Sequence, residues 1–198
     1  MPLIELGSFS PPPSGCAVCL GTFDGVHLGH QALLRETARA AREKGLLPCA
    51  YTFDMPPAGV LGGRRTEVLT EIGEKADLMA AHGVTTCVYS LFDERVAACG
   101  AEEFFEQTLL RKLNARFVVI GFHYRFGRFA RGDALLMRAL CEKAGIGLTV
   151  VPPVCLADGQ VISSTAIRAC LLRGDRRGAE TMLNRPLTAR EEGLLGGM

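Results

Sequence analysis

The stretch Leu20-Gly21-Thr22-Phe23-Asp24-Gly25-Val26-His27-Leu28-Gly29-His30 leaves this chain few folds to choose from. Ahead of it, Ala17, Val18, Cys19 and Leu20 form a short apolar run that reads as a buried parallel strand. Behind it, Leu33, Leu34, Ala38 and Ala41 recur at helical spacing, so a strand gives way to a helix across the two histidines. A helix N-terminus offers unpaired N–H groups and a partial positive charge, and a phosphate settles there without a dedicated cation. Gly21, Gly25 and Gly29 carry no side chain to hold a nucleotide off the backbone. His27 and His30, three residues apart, project from one side of the first turn, beside that phosphate. Neither a Walker A lysine motif nor a G-x-G-x-x-G pattern is present, which disfavours kinase-like cradles and NAD folds.

The rest of the chain repeats the alternation. Strand-like runs are predicted from Leu46 to Phe53, Thr86 to Leu91, Arg116 to Ile120 and Leu148 to Val151, with amphipathic helical runs between them. The predicted fold is α/β: a Rossmann-like parallel sheet with helices on both faces, a small hairpin at Ala157-Asp158-Gly159-Gln160, and C-terminal helices divided at Gly174-Asp175. Residues 1–15 read as an extended N-terminal segment, with Ser8 to Gly15 proline-rich and structure starting at about Cys16; 16–186 form the domain and 187–198 a tail. Thr70 is the expected N-cap of one helix, Asp133 of another, and Gly45 stops the first. Phe104, Phe105, Leu109 and Leu110, on a helix from Glu102 to Leu113, are assigned to packing, and Ala58 to Arg65 to a loop.

Composition narrows the function classes. A formal net charge of +1 over 198 residues gives no general field for polyanions, so basic residues act locally and no nucleic-acid partner is expected. No apolar run approaches the roughly 20 residues that cross a bilayer, and no basic-then-apolar leader opens the chain, so a cytoplasmic location is expected. The eight cysteines, most inside apolar segments, read as small core residues of a reducing compartment. Cys16 and Cys19 form a C-x-x-C, but no second pair stands at a finger-like spacing, and no metal site is assigned.

Three further stretches carry chemistry. Asp54 falls at the carboxyl end of the second predicted strand, where ligands gather in open parallel sheets. From Gly121 to Asp133, Phe122, Tyr124, Phe126 and Phe129 interleave with Arg125, Arg128 and Arg131, a composition that stacks on a flat ring while pairing with its phosphate. Ile162-Ser163-Ser164-Thr165-Ala166-Ile167-Arg168 places hydroxyls at a helix start and a guanidinium about one turn on, a second phosphate clamp.

The first stretch resembles the G-x-F-D-G-x-H-x-G-H signature of the H-x-G-H nucleotidyltransferases, most closely the FMN adenylyltransferase module of prokaryotic FAD synthetases. Thr52-Phe53-Asp54-Met55-Pro56-Pro57 is similar to the family's T-F-D/E-P-H-P, with Pro56 in place of the polar residue. The 121–133 loop is similar to its G-x-D/N-F-x-F-G…R-x-G-D, with His123 where an acid or amide is usual, and I-S-S-T-x-I-R is unbroken. The resemblance implies that ATP and FMN give FAD and pyrophosphate. It implies catalytic His27, His30 and Arg168, and ATP contacts from Gly21, Thr22, Phe23, Asp24, Gly25, Gly29, Ser163, Ser164 and Thr165. FMN contacts follow at Asp54, His123, Tyr124, Arg125, Phe126 and Gly127. Magnesium is expected to ride on the phosphates, because it keeps several waters and uses few protein ligands. No general base is expected, the histidines serving to stabilise charge. Leu183-Asn184-Arg185-Pro186 looks like the lead into a riboflavin kinase module, for which 187–198 are too few residues. Two other readings fit the His and Arg motifs: a related nucleotidyltransferase using CTP or another acceptor, and a non-catalytic flavin- or nucleotide-binding protein. Oligomeric state leaves no signal.

Overall fold

The computed structural model describes residues 1–56 and 67–196; the expected loop from Ala58 to Arg65 lies outside the described residues, as does Pro57. Six strands form one parallel sheet: β1 (Leu3–Glu5), β2 (Cys16–Leu20), β3 (Leu47–Phe53), β4 (Thr86–Ser90), β5 (Ala115–Gly121) and β6 (Gly147–Val151), in the order β1-β4-β3-β2-β5-β6. All five residues of β2 are buried, as a central strand covered on both faces requires. Its residues alternate between two cores. Ala17 and Cys19 meet Leu34, Ala40, Ala76 and Met79 of α1 (Leu28–Lys44) and α2 (Ile72–Ala80). Val18 and Leu20 meet Phe105, Leu109, Met137 and Cys141 on the opposite face.

Those opposite residues come from two helical stretches. After a short α3 (Glu94–Ala98), α4 (Ala101–Glu103) winds directly into a π-helical segment, Phe104–Lys112, and α5 (Ala134–Ala144) follows β5. The expected Glu102-to-Leu113 helix is thus present with a wider winding, its last N–H, from Leu113, reaching Thr108 O at 3.0 Å. Gly45 and Gly145 stop α1 and α5 in the left-handed region, and Asp133 caps α5 through the Leu135 and Leu136 N–H groups. Beyond β6, Cys155 bridges Val161 around the Asp158-Gly159 turn, and α6 (Ser164–Leu172), α7 (Arg176–Leu183) and α8 (Ala189–Gly193) follow. Their Ile167, Leu171, Met182 and Leu183 enclose Leu69 and Ile162 in a third cluster.

Three expectations are corrected. Ordered structure does not begin at about Cys16: Leu3–Glu5 pairs in parallel with β4, Leu3 opposite Cys87, and Leu6 is buried in the turn that follows. A three-residue, half-buried edge strand is too short to show a period. Thr70 is not an N-cap; Glu71 holds that place. The Asp24 carboxylate takes the N–H groups of Leu69 and Thr70, which keeps the Thr70 backbone outside the helix, and the Thr70 hydroxyl accepts from the Gly25 N–H at 3.0 Å. The 187–198 tail contains a helix, closed at its start by a Thr188–Glu191 capping box.

The chain leaves β2 for β3 on one side and later returns to β5 on the other, so strand order reverses between β2 and β5. In such sheets the crevice at the carboxyl ends beside that reversal receives ligands. The loops after β2 and β5 both open there.

Candidate active site

The loop from Gly21 to His27 stores backbone strain. Phe23, Gly25 and Val26 have φ of 51°, 81° and 45°, and positive φ at a β-branched valine is rare enough to mark a constrained site. What imposes it is a set of buried bonds. Asp24, 2% exposed, accepts from Leu69 and Thr70 N–H and pairs with Arg168; Gln31 donates to Val26 O at 3.0 Å and Leu183 O at 2.8 Å. Phe23 is fully buried beneath the loop, its ring edge-on to His30.

His27 is the N-cap of α1, its Nδ1 accepting from the His30 N–H at 3.4 Å. That bond leaves the proton of a neutral imidazole on Nε2. The two histidine rings stack at 3.6 Å, and a side chain at Gly29 would press on the His27 ring at 3.1 Å. Burial lowers the His27 pKa from 6.5 to about 4, and burial together with the neighbouring His27 and Lys75 holds His30 well below its ordinary value. Both imidazoles are therefore neutral at pH 7. They present polarised N–H donors, not cations, beside the opening turn of α1.

The second motif is fastened to the first. Ser163 caps α6 by accepting from the Ala166 N–H, and the Ser164 hydroxyl donates to Asp24 O at 2.8 Å. The Arg168 guanidinium donates to the Asp24 carboxylate through Nη2 and to Glu67 O through Nε at 2.9 Å. Arg168 is thus brought to the histidine-bearing loop, with Asp24 as the joint. Thr165 is exposed at the opening of α6.

A cavity of about 480 Å³ adjoins this loop, within the range of small-molecule sites. Gly21 and Thr22 form part of its wall, so the histidine-bearing loop and the cavity share residues. Tyr124, Arg125, Phe126 and Gly127 line it, Tyr124 and Phe126 being stacked with centroids 5.8 Å apart. Gly127 holds φ at 71°, and a Cβ there would meet the Ala101 backbone at 2.7 Å; only glycine lets the loop pass so close to α4. Tyr51, Phe53, Phe92, Phe104 and Phe129 add further aromatic rings to the wall, and α3 closes it with Glu94, Val96, Ala97 and Ala98.

Two of the expected flavin residues stand off that wall. Asp54 accepts from the Phe92 N–H at 2.8 Å, positioning a wall residue without lining the cavity itself. His123 is exposed and edge-on to Phe122. Conversely, sequence reasoning missed Tyr51, Phe53 and Phe92, and gave Phe104 to packing alone. Phe104 is buried, yet it also faces the cavity. Tyr51 and Phe53 had a signal: spaced by two near a strand's carboxyl end, they share one face. Lys75, 2% exposed on α2, was also missed, although it falls at helical spacing on the stripe of Ile72, Ala76 and Met79.

Comparisons with known proteins show the family. The FAD synthetase family profile matches residues 10–166. A Geobacillus thermodenitrificans relative, provisionally named bifunctional riboflavin kinase/FMN adenylyltransferase, is 41% identical over 175 residues, covering 88% of this chain and 93% of its own. The Haemophilus influenzae bifunctional riboflavin kinase/FMN adenylyltransferase is 34% identical over 87% of this chain, which spans 56% of that protein's length. A solved Streptococcus pneumoniae structure, named a macrolide-efflux protein, superposes with a TM-score of 0.83 at 30% identity, over 94% of this chain and 63% of that one. Among the described residues no helix is long and apolar enough to cross a membrane. The chain belongs to the FAD synthetase family of nucleotidyltransferases.

Proposed function

We propose that this chain transfers AMP from ATP to FMN, giving FAD and pyrophosphate. An oxygen of the FMN phosphate attacks the α-phosphorus in line; the new P–O bond forms as the bond to the β-phosphate breaks, and its electron pair leaves on pyrophosphate. The attacking phosphate is already ionised at neutral pH, so positioning and charge dispersal carry the catalysis. The observation that supports this reading above others is the aromatic cavity sharing Gly21 and Thr22 with the histidine loop. A flat tricyclic ring entering between Phe53, Phe104 and Phe126 would end its phosphate chain at that loop.

Within this scheme His27 and His30 donate from neutral imidazoles to the α- and β-phosphates. Arg168, whose Nη1 has no partner among the described residues, and the N–H groups opening α6 with Ser164 and Thr165 seat the departing pyrophosphate. Magnesium is proposed to arrive on ATP. Arg125, Arg128 and Arg131 are confined to one loop of a chain with net charge +1, which favours a small flavin phosphate over a nucleic acid. The eight cysteines stand as free thiols, in keeping with a cytoplasmic location. Incubation with ATP, FMN and magnesium, followed by chromatography, is expected to yield FAD and pyrophosphate. FMN retained without any FAD would identify a binding protein instead, and faster product with CTP or another acceptor would reassign the substrates.

A further inference from the structure

Lys75 lies on the inner face of α2 and is 2% exposed. Burying an ammonium is costly unless charge and hydrogen bonds compensate it, and a methionine or leucine would fill the same volume at less cost. The compensation within the protein is thin. Nζ donates to Phe53 O, at the carboxyl end of β3, across a long 3.5 Å, and among the described residues it forms no salt bridge. The nearby carboxylates are engaged elsewhere: Asp24 by Leu69 and Thr70 N–H and by Arg168, Asp54 by Phe92 N–H. An ammonium has three donors, so among the described residues two remain without a partner.

Its neighbours indicate what those donors are for. Phe53, whose carbonyl it touches, lines the aromatic cavity, and His30, whose protonation the Lys75 charge opposes, belongs to the nucleotide loop. Burial lowers the Lys75 pKa, with Asp24 and Asp54 opposing that shift. Lys75 does not itself line the cavity; it meets the Phe53 carbonyl at the carboxyl end of β3 from the α2 face of the sheet, the side that also carries His30, so on the proposed reaction a phosphate reaching from the cavity towards the histidines comes to its side. Like charges repel strongly in such a partly desolvated site.

On the reading that the chain adenylates FMN, we propose that Lys75 binds the phosphate of FMN and relieves its repulsion from the α-phosphate of ATP. The test compares FMN with riboflavin, which lacks the phosphate, by quenching of flavin fluorescence on the full chain. Lys75→Met is expected to lower the preference for FMN over riboflavin by about tenfold or more, leaving riboflavin affinity as in the wild type. Lys75→Arg should keep the preference within about threefold, since the charge remains. A lysine that served packing alone would change both flavins alike, so an unaltered preference in Lys75→Met overturns the proposal. Should that variant not fold, Lys75→Gln, which retains a donor for Phe53 O, gives the same comparison with the same two outcomes. A wild-type chain that forms FAD while the variants keep their preference removes the role of Lys75 alone. A wild type that binds neither flavin removes the assigned reaction as well.

Discussion

Asp24 joins the two motifs: one buried carboxylate fixes the backbone at Leu69 and Thr70 and orients Arg168. Arg168→Ala should therefore act twice, weakening ATP binding and turnover together and lowering stability by about 1.5–3 kcal/mol, the worth of a charged hydrogen bond. His30→Ala, which leaves Asp24 and its partners in place, should lower kcat by about 100-fold with little change in KM for ATP. Steady-state kinetics on the two variants separates these patterns, and an unimpaired His30→Ala enzyme removes the role given to that ring. His27 adds a pH dependence. Its folded pKa of about 4 lies below its ordinary 6.5, so the unfolded chain binds the proton first as pH falls. The stability that burial of the neutral ring maintains is complete above pH 6.5 and lost progressively down to about pH 4, by about 3 kcal/mol. Urea unfolding between pH 7 and pH 4 measures this, and His27→Asn, which can still cap α1, should show a shallower decline.

At the scale of elements, what was legible followed from period and punctuation. The strand-loop-helix unit of β2 and α1 was readable because a buried run, three glycines and a helical stripe adjoin within one stretch, and Gly45, Asp133 and the Ser163-Ser164 start declared their own boundaries. The pairing of Arg168 with Asp24 was not readable, since nothing local relates residues 144 apart. Nor was the far wall of the cavity: Phe92 follows β4, and Phe104 opens a π-helical segment whose wider winding has no compositional mark. Phe104 meets Phe126 with centroids 5.9 Å apart, so two elements that sequence reasoning placed in different categories, core helix and ligand loop, form a single aromatic surface. Lys75 failed to register for the opposite reason. A lysine in an amphipathic helix ordinarily marks the solvated face, and its charge outweighed the helical spacing that sets Lys75 on the inward stripe with Ile72, Ala76 and Met79.

Across the whole molecule, the last described segment supports the first functional loop. Arg185 forms a bidentate pair with Glu191, 2.7 Å on each arm, and its Nη2 also donates to Gly25 O at 3.1 Å; Leu183 O, just before it, accepts from Gln31. Glu191 is fully buried and Arg185 partly so, its side chain 17% exposed, which makes the carboxylate costly to leave without its partner. Replacing both by apolar residues removes the uncompensated charge but not the need to brace Gly25. Glu191→Ala should therefore lower stability by about 3 kcal/mol, whereas Arg185→Met with Glu191→Leu should regain most of that loss. If the contact to Gly25 holds the nucleotide loop in its strained form, the double variant, though stable, should still show a KM for ATP raised about fivefold, equivalent to about 1 kcal/mol. Thermal melts and ATP titrations on the single and double variants separate packing from bracing. A double variant with wild-type KM would mean that the strain in the loop is held by Asp24 and Gln31 without help from the C-terminal helices.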